Sequence, residues 1–504
     1  MSNNSYPDSR NNSTVYYCSG SDVDSTEVGT KENPFKSLDK ARRVVTDGST
    51  LLLERGYEYP FFNQFNSRSI SFGAYGYGNA PVVSRFAKVR NVDKDLFTRD
   101  SATGDIWTIN FNKLVELSGC QEKDLLNIGF IYNPYTDSIV YGYKVAFPDP
   151  VSREMAFDYK RPSQGQLQAY TSLPGNLVDK GDGKFYQSAD GHVIKVYNTT
   201  DPNESVYPKD FNVPQSGEDD RMIQELWFAT GGSFIVHPHD CEIRDIKIVG
   251  FGRHAIEGGM SNVRIENVQI DLIGGMTQDP STVGTVNFVR LGNGVEVWCS
   301  IQKPTKNVSV SHCVISRIFD CATTLQGSLD YVVPFGAENV VFSHNLIRNC
   351  RSSFEGFLYI KGVDEKKPGI GSVKNCKFCN NKAYFAGYSG FCNDGKADGH
   401  LISGMPGMEI SDNYFYGGNF MSRFDFKFGL EMGAGNICHI QPGQSMIHIF
   451  AKKDNPDAPD HSDYPENPTN ESVAAAVAQY RTLAHDNHTV FVGIDSIVSM
   501  PKEN

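Results

Sequence analysis

Three acidic side chains in the middle of the chain are spaced so that a suitable fold would bring them together: Glu296 in GVEVW, Asp320 in IFDCATT and Glu355 in SSFEGF. Two carboxyl groups a few ångströms apart can divide a reaction, one giving a proton while the other takes one or attacks. Like charges that close raise the pKa of one member, which is how a carboxyl keeps its proton near neutral pH. Asp320 and Glu355 are each flanked by small or apolar residues, unusual surroundings for a solvated surface acid. Strand alternation sets Glu296 opposite Val295 and Val297, so it faces outward if the valines face a core. Each acid also has a plain structural alternative. Asp320 could cap a turn, Glu355 could sit on a solvent-facing strand, and Glu296 could pair with a cation on a neighbouring unit. Three acids at successive levels of one face favour the paired reading.

The levels come from a repeat. DCEIRDIKI (240–248), NVRIENVQI (262–270), NVSVSHCVI (307–315) and NVVFSHNLI (339–347) share residue types at fixed offsets, with looser copies IGSVKNCKF (370–378) and GMEISDNYF (407–415). Apolar residues recur at Ile243, Ile265, Val310, Phe342, Val373 and Ile410, and again at Ile248, Ile270, Ile315, Ile347, Phe378 and Phe415. Between them stands a small polar residue: Asp245, Asn267, His312, His344, Asn375 or Asp412. Period-2 alternation with β-branched and aromatic residues indicates strands. Units of this length cannot bury an apolar face alone and must stack. The expected fold is all-β: a right-handed parallel β-helix solenoid with an N-terminal helical cap, an inserted antiparallel β subdomain and a C-terminal helix. On this reading Asp320 follows its repeat start by 13 residues and Glu355 by 16, one coil apart, with Glu296 one coil earlier. Coils stack about 4.8 Å apart, so acids on neighbouring levels fall within reach of each other.

Five stretches are expected: a disordered start (1–13), a cap and first coils (14–104), an inserted β subdomain (105–230), central coils carrying the site (231–450), and an acidic loop with a closing helix (451–504). GDGKFYQSADGHVIKVYN reads as a hairpin, Leu38, Ala41, Val44 and Val45 fall at helical spacing, and SVAAAVAQYRTLA (472–484) is a strong helix. The net charge of −12 over 504 residues argues against nucleic acid or an anionic membrane as partner. No apolar run is long enough to span a bilayer. The start, MSNNSYPDSRNNSTVYYC, has no signal-peptide core, so a cytoplasmic location is expected unless a leader has been removed, in which case the protein is secreted or periplasmic. The oligomeric state is left open. The 11 cysteines read as buried thiols in a column, with Cys313 and Cys376 at one offset. CKFC (376–379) lacks a second ligand pair for zinc. No metal site is expected and no cofactor is required, although NDGKADGH (393–400) leaves Ca²⁺ open.

VYYCSGSD, GTKENPFKSLDKA, GSTLLLERGYEY and GAYGYGNAPVV near the start resemble the pectate-lyase-like superfamily of right-handed parallel β-helix, carbohydrate-active proteins. The hairpin segment, IRDIKIVGFGRHAI, GNGVEVW, ISRIFDCATTLQG and NLIRNCRSSFEGF are similar to its glycoside-hydrolase branches. The resemblance covers about residues 14–430 and implies a carbohydrate substrate. Under it, Asp320, Glu355 and Glu296 become the acid and the base or nucleophile at a glycosidic bond, with Asp320 and Glu355 expected as the reacting pair. His254, Arg253, Trp298, Tyr359, Arg351 and Tyr388 become candidate substrate-binding residues, the aromatics as platforms for sugar rings. Two other classes stay open. A polysaccharide lyase eliminating at a uronate would want cations, for which Arg317, Arg348, Arg351 and Lys361 are present. A non-catalytic carbohydrate-binding or phage-type fibre would bind without turnover.

Overall fold

The computed structural model describes residues 13–21, 26–90, 92, 95–100, 105–135, 137–141, 143–145, 184–187, 191–197, 202, 225–276, 291–299, 305–329, 336–360, 373–386, 399–403, 407–418, 420–424, 431–449, 461–484 and 486–493. The fold is all-β with three long, almost wholly parallel sheets, and the chain visits them in rotation. One circuit runs from Ser261–Glu266 in sheet A to Gln269–Ile273 in sheet B, then to Val295–Cys299 in sheet C. The next begins at Thr305–Ser311 beside the first strand and continues through Val314–Ile318 and Cys321–Leu329. Two more circuits carry Ala337–Ser343, Leu346–Arg348, Ser352–Ile360 and then Cys376–Cys379, Lys382–Ala386, Gly399–Ser403.

The corner between sheets A and B is the invariant part. Six times a strand of A ends and a strand of B begins after a corner of two residues. The first corner residue is Asp245, Asn267, His312, His344, Asn380 or Asp412, each left-handed with φ between 53° and 59°. Short polar side chains tolerate that conformation better than branched ones, which explains the residue choice. The second corner residue points inward: Ile246, Val268, Cys313, then Asn345, Asn381 and Asn413, all buried. Each asparagine of that column accepts hydrogen bonds from the one before it, as when Asn345 donates from its backbone and its amide to Asn381 Oδ1, both at 3.0 Å. Apolar rungs such as Ile243, Ile265, Val310 and Phe342 fill the interior. Each buried side chain of that size contributes roughly 1.5–3 kcal/mol.

The fifth repeat is registered differently from its sequence reading. Phe378 pairs with Phe342 on sheet A, and Asn375 donates its amide to Asn339 Oδ1. The copy is therefore NCKFCNNKA (375–383), shifted by five residues from IGSVKNCKF. Asn380, not Asn375, holds the left-handed corner, and Cys376 pairs with Met408 instead of sharing the Cys313 offset. The misleading signal was chemical: KNCKF matches SHCVI in polarity, and only the strand partners separate the two registers.

Sheet C is bordered by the variable connections. After Ser84 in sheet B the chain does not enter sheet C until Ile235. Within that long excursion, Phe86–Val89, Leu226–Thr230, Ile128–Asn133 and Ser138–Tyr141 pair antiparallel. A second group is antiparallel from Phe97–Arg99 through Ile106–Ile109 and Ile194–Tyr197 to Lys184–Gln187, the last two being the hairpin read from sequence. The excursion sits tightly on the coils: a Cβ on Gly129 would lie 2.1 Å from the Gly274 carbonyl oxygen. Helices Leu38–Val44, N-capped by Ser37, and Asn470–Ala484 contribute Leu38, Ala41, Tyr480 and Ala484 to the same buried core as the coils. Among the described residues no helix is long and apolar enough to cross a membrane.

Candidate active site

One column of sheet C carries the chemistry. Successive strands pair Val236 with Glu257, Glu257 with Glu296, Glu296 with Thr324, and Thr324 with Glu355. Their neighbours Val295, Val297 and Leu325 fill the core, so alternation turns the column outward. Asp320 enters from the two-residue bend before Cys321–Leu329, where its backbone N–H donates to Gly292 O at 3.0 Å. A cleft of about 480 Å³ lies over this face, and Glu257, Glu296, Asp320 and Glu355 all line it, with Arg253, His254, Asn293, Trp298 and Gln326.

The acids sit in unlike surroundings. Glu296 is buried, and its Oε2 accepts from the Asn293 amide at 2.8 Å and the Gln326 amide at 2.9 Å, with His254 Nε2 at 3.3 Å. Because these donors converge on Oε2, a proton on this carboxyl belongs on Oε1. Burial pushes the Glu296 pKa up to about 7; the Asn293 amide, Arg253 and Gln326 pull back, and Asp320 adds a smaller upward push. Asp320 instead pairs with the buried Arg351 guanidinium at 3.5 Å. The Cys321 thiol lies 3.9 Å from Asp320 Oδ1 and 3.7 Å from Glu355 Oε2, so those oxygens are roughly 7.6 Å apart or less, within reach of both retaining and inverting geometries.

Glu257 accepts from Ser233 Oγ at 2.8 Å and Arg253 Nε at 3.0 Å. His254 is 1 % exposed and its Nδ1 accepts the Asn293 backbone N–H at 2.8 Å. One ligand atom each from His254, Glu257 and Glu296 falls within 4.8 Å of the others, a spacing compatible with a metal ion. The hydrogen bonds point the other way. A metal on Nε2 would need the ring proton moved to Nδ1, directly against the Asn293 N–H. The three residues are suited to sharing protons.

The structure thus gathers six of the expected residues, Glu296, Asp320, Glu355, Arg253, His254 and Trp298, at one cleft. Two of the expected substrate-binding residues have carboxylate partners: the buried His254 ring faces Glu296 and Glu257, and the buried Arg351 guanidinium pairs with Asp320. Tyr388, the side chain of Tyr359 and most of NDGKADGH lie outside the described residues. Glu257, Asn293 and Gln326 escaped the sequence reading as site members. The alignable pair AIEGG and GVEVW, with Glu at the same strand position one coil apart, was the signal available for Glu257.

No protein-family model matches the chain, and no curated protein matches it significantly. Among solved structures, a complex of XylC with xylose is similar at 12 % identity and a TM-score of 0.40, over 86 % of this chain and 68 % of that one. The GH136 lacto-N-biosidase from Eubacterium ramulus matches at 12 % identity and 0.26, over 86 % and 64 %. A structure described as a glycoside hydrolase matches at 10 % identity and 0.31, over 87 % and 92 %. Likeness this loose carries no argument about activity, which rests on the cleft itself.

Proposed function

We propose that this chain is a glycoside hydrolase whose three-sheet coil is a right-handed parallel β-helix, the hand that parallel crossovers almost always take. One observation carries the reading: carboxyl groups from four successive coils line one cleft in opposed environments, Glu296 buried among neutral donors and Asp320 ion-paired with Arg351. Opposed environments are what divides an acid from its ionised partner. Glu296 gives the proton from Oε1 to the glycosidic oxygen. Glu355 or Asp320 acts as base or nucleophile, and the charge on Asp320 faces the positive charge developing at the anomeric carbon. This moves the acid role to Glu296 from the Asp320–Glu355 pair that offsets alone favoured. Trp298 offers a ring face for a sugar.

A uronate-cleaving lyase is less well served. Arg253 pairs with Glu257 and Arg351 with Asp320, so both cations nearest the cleft already face carboxylates. The test is digestion of a glycan panel by wild type, Glu296→Gln and Asp320→Asn, reading reducing ends and absorbance near 235 nm. Reducing ends without absorbance, lowered roughly 10²- to 10⁴-fold in both variants at unchanged melting temperature, are expected. Absorbing products would make it a lyase. Binding without turnover on every glycan would make it a carbohydrate-binding protein.

A further inference from the structure

His254 is gripped by groups from coils on either side. Its backbone N–H donates to Ser233 Oγ at 3.3 Å, and the Asn293 N–H occupies Nδ1. The single ring proton is therefore on Nε2. That nitrogen faces two carboxylate oxygens, Glu296 Oε2 at 3.3 Å and Glu257 Oε2 at 3.6 Å, near enough to pair with either although neither contact is yet a full hydrogen bond. Glu257 is already neutralised by Arg253, whereas Glu296 is held by neutral donors alone.

We propose that His254 is a positioning residue for the acid, its Nε2–H shared between Glu257 and Glu296 and tightening onto Glu296 Oε2 when that carboxyl loses its proton. This rests on the reading of Glu296 as the acid. In the step, the Oε1 proton passes to the glycosidic oxygen as the bond from that oxygen to the anomeric carbon breaks and its electron pair stays on oxygen. His254 keeps its own proton throughout. A hydrogen bond to a carboxylate is about twice as strong as one to a neutral acid, so this contact gains strength only as the proton leaves. The charged groups facing the ring are Glu257, Glu296 and Arg253, with Asp320 further off. Burial holds the imidazole pKa down to about 4, with Glu257 raising, Arg253 lowering and Asp320 raising it. His254 therefore stays neutral through the range in which Glu296 titrates.

The experiment follows the Glu296 carboxyl band by infrared difference titration, assigned with Glu296→Gln, in wild type, His254→Leu and His254→Gln. The Leu variant should titrate about one pH unit higher. The Gln variant, whose amide can donate, should stay near wild type. On substrate, His254→Leu should lower kcat roughly tenfold at steady KM and move the alkaline limb upward by the same shift. Should His254→Leu not fold, Glu257→Leu removes the competing acceptor, leaves the N–H to Glu296 alone and must lower the midpoint. A midpoint unmoved in the Leu variant of His254, or in Glu257→Leu where that replaces it, overturns the proposal. If wild type hydrolyses no glycan, the hydrolase reading fails on that ground while the infrared midpoint still decides the coupling.

Discussion

Asn345, Asn381, Asn413 and Asn436 at the A–B corner, and Glu257, Glu296 and Glu355 on sheet C, are both runs of polar groups stacked coil upon coil. In the first, identical amides answer one another: Asn381 accepts from Asn345 and donates to Phe342 O and to Asn413 Oδ1 at 3.0 and 3.1 Å. No charge is involved and every donor finds an acceptor. In the second, no rung repeats its neighbour's bonding. Glu257 faces an arginine, Glu296 faces amides, and Thr324 intervenes before Glu355. Identity along a column yields scaffold, and inequality along a column leaves groups with different proton affinities, which is the raw material of acid–base chemistry.

Breaking the amide column is the strongest test of this contrast. Asn381→Ala strands the Asn345 backbone N–H and the Asn413 amide contact inside the core and should cost about 3 kcal/mol of stability. Denaturant midpoints would show the loss, while activity per folded molecule at low temperature stays at the wild-type level. A fall in activity without a fall in stability would erase the distinction. A second test uses the two buried histidines. His254 and His400 both have pKa values lowered to about 4 from 6.5, chiefly by burial. The unfolded chain takes up their protons below about pH 6.5 while the folded chain refuses them until about pH 4. Stability is then complete above 6.5 and declines toward 4, by roughly 3 kcal/mol per histidine. His400 bonds Ser353 Oγ at 3.0 Å and the Gly417 carbonyl, neither of them an acid, so His400→Gln should flatten half of that decline with the activity profile unchanged, measured by urea titration across pH 4–7. The smallest effect is expected at the exposed rung pair His312 and His344, whose rings stack 5.1 Å apart at 11°. His312→Ala should change stability by about 0.5 kcal/mol or less, read from thermal melts.

Much of the coil and its levels was legible because strand alternation and left-handed corners constrain residue type locally. Asp245, Asn267, His312 and His344 announce the corner through side-chain size and polarity alone. The shift at 375–383 was not legible, since register is decided by partners on adjacent coils that no local pattern contains. At the site, Glu296, Asp320 and Glu355 followed from repeat offsets. Their roles did not, because which acid is buried and which faces an arginine depends on Asn293, three residues before Glu296, and on Gln326 and Arg351 from neighbouring coils, all ordinary in sequence.

The two-residue A–B corner also makes the chain a ruler. Each circuit must begin its strands at the same rung mark, so an acid on sheet C can change height only by whole coils of about 4.8 Å. Separations between reacting carboxyls then come in steps rather than by gradual drift. Descendants of such a scaffold would change stereochemical outcome by moving an acid one rung, a jump that a single substitution at Thr324 could make.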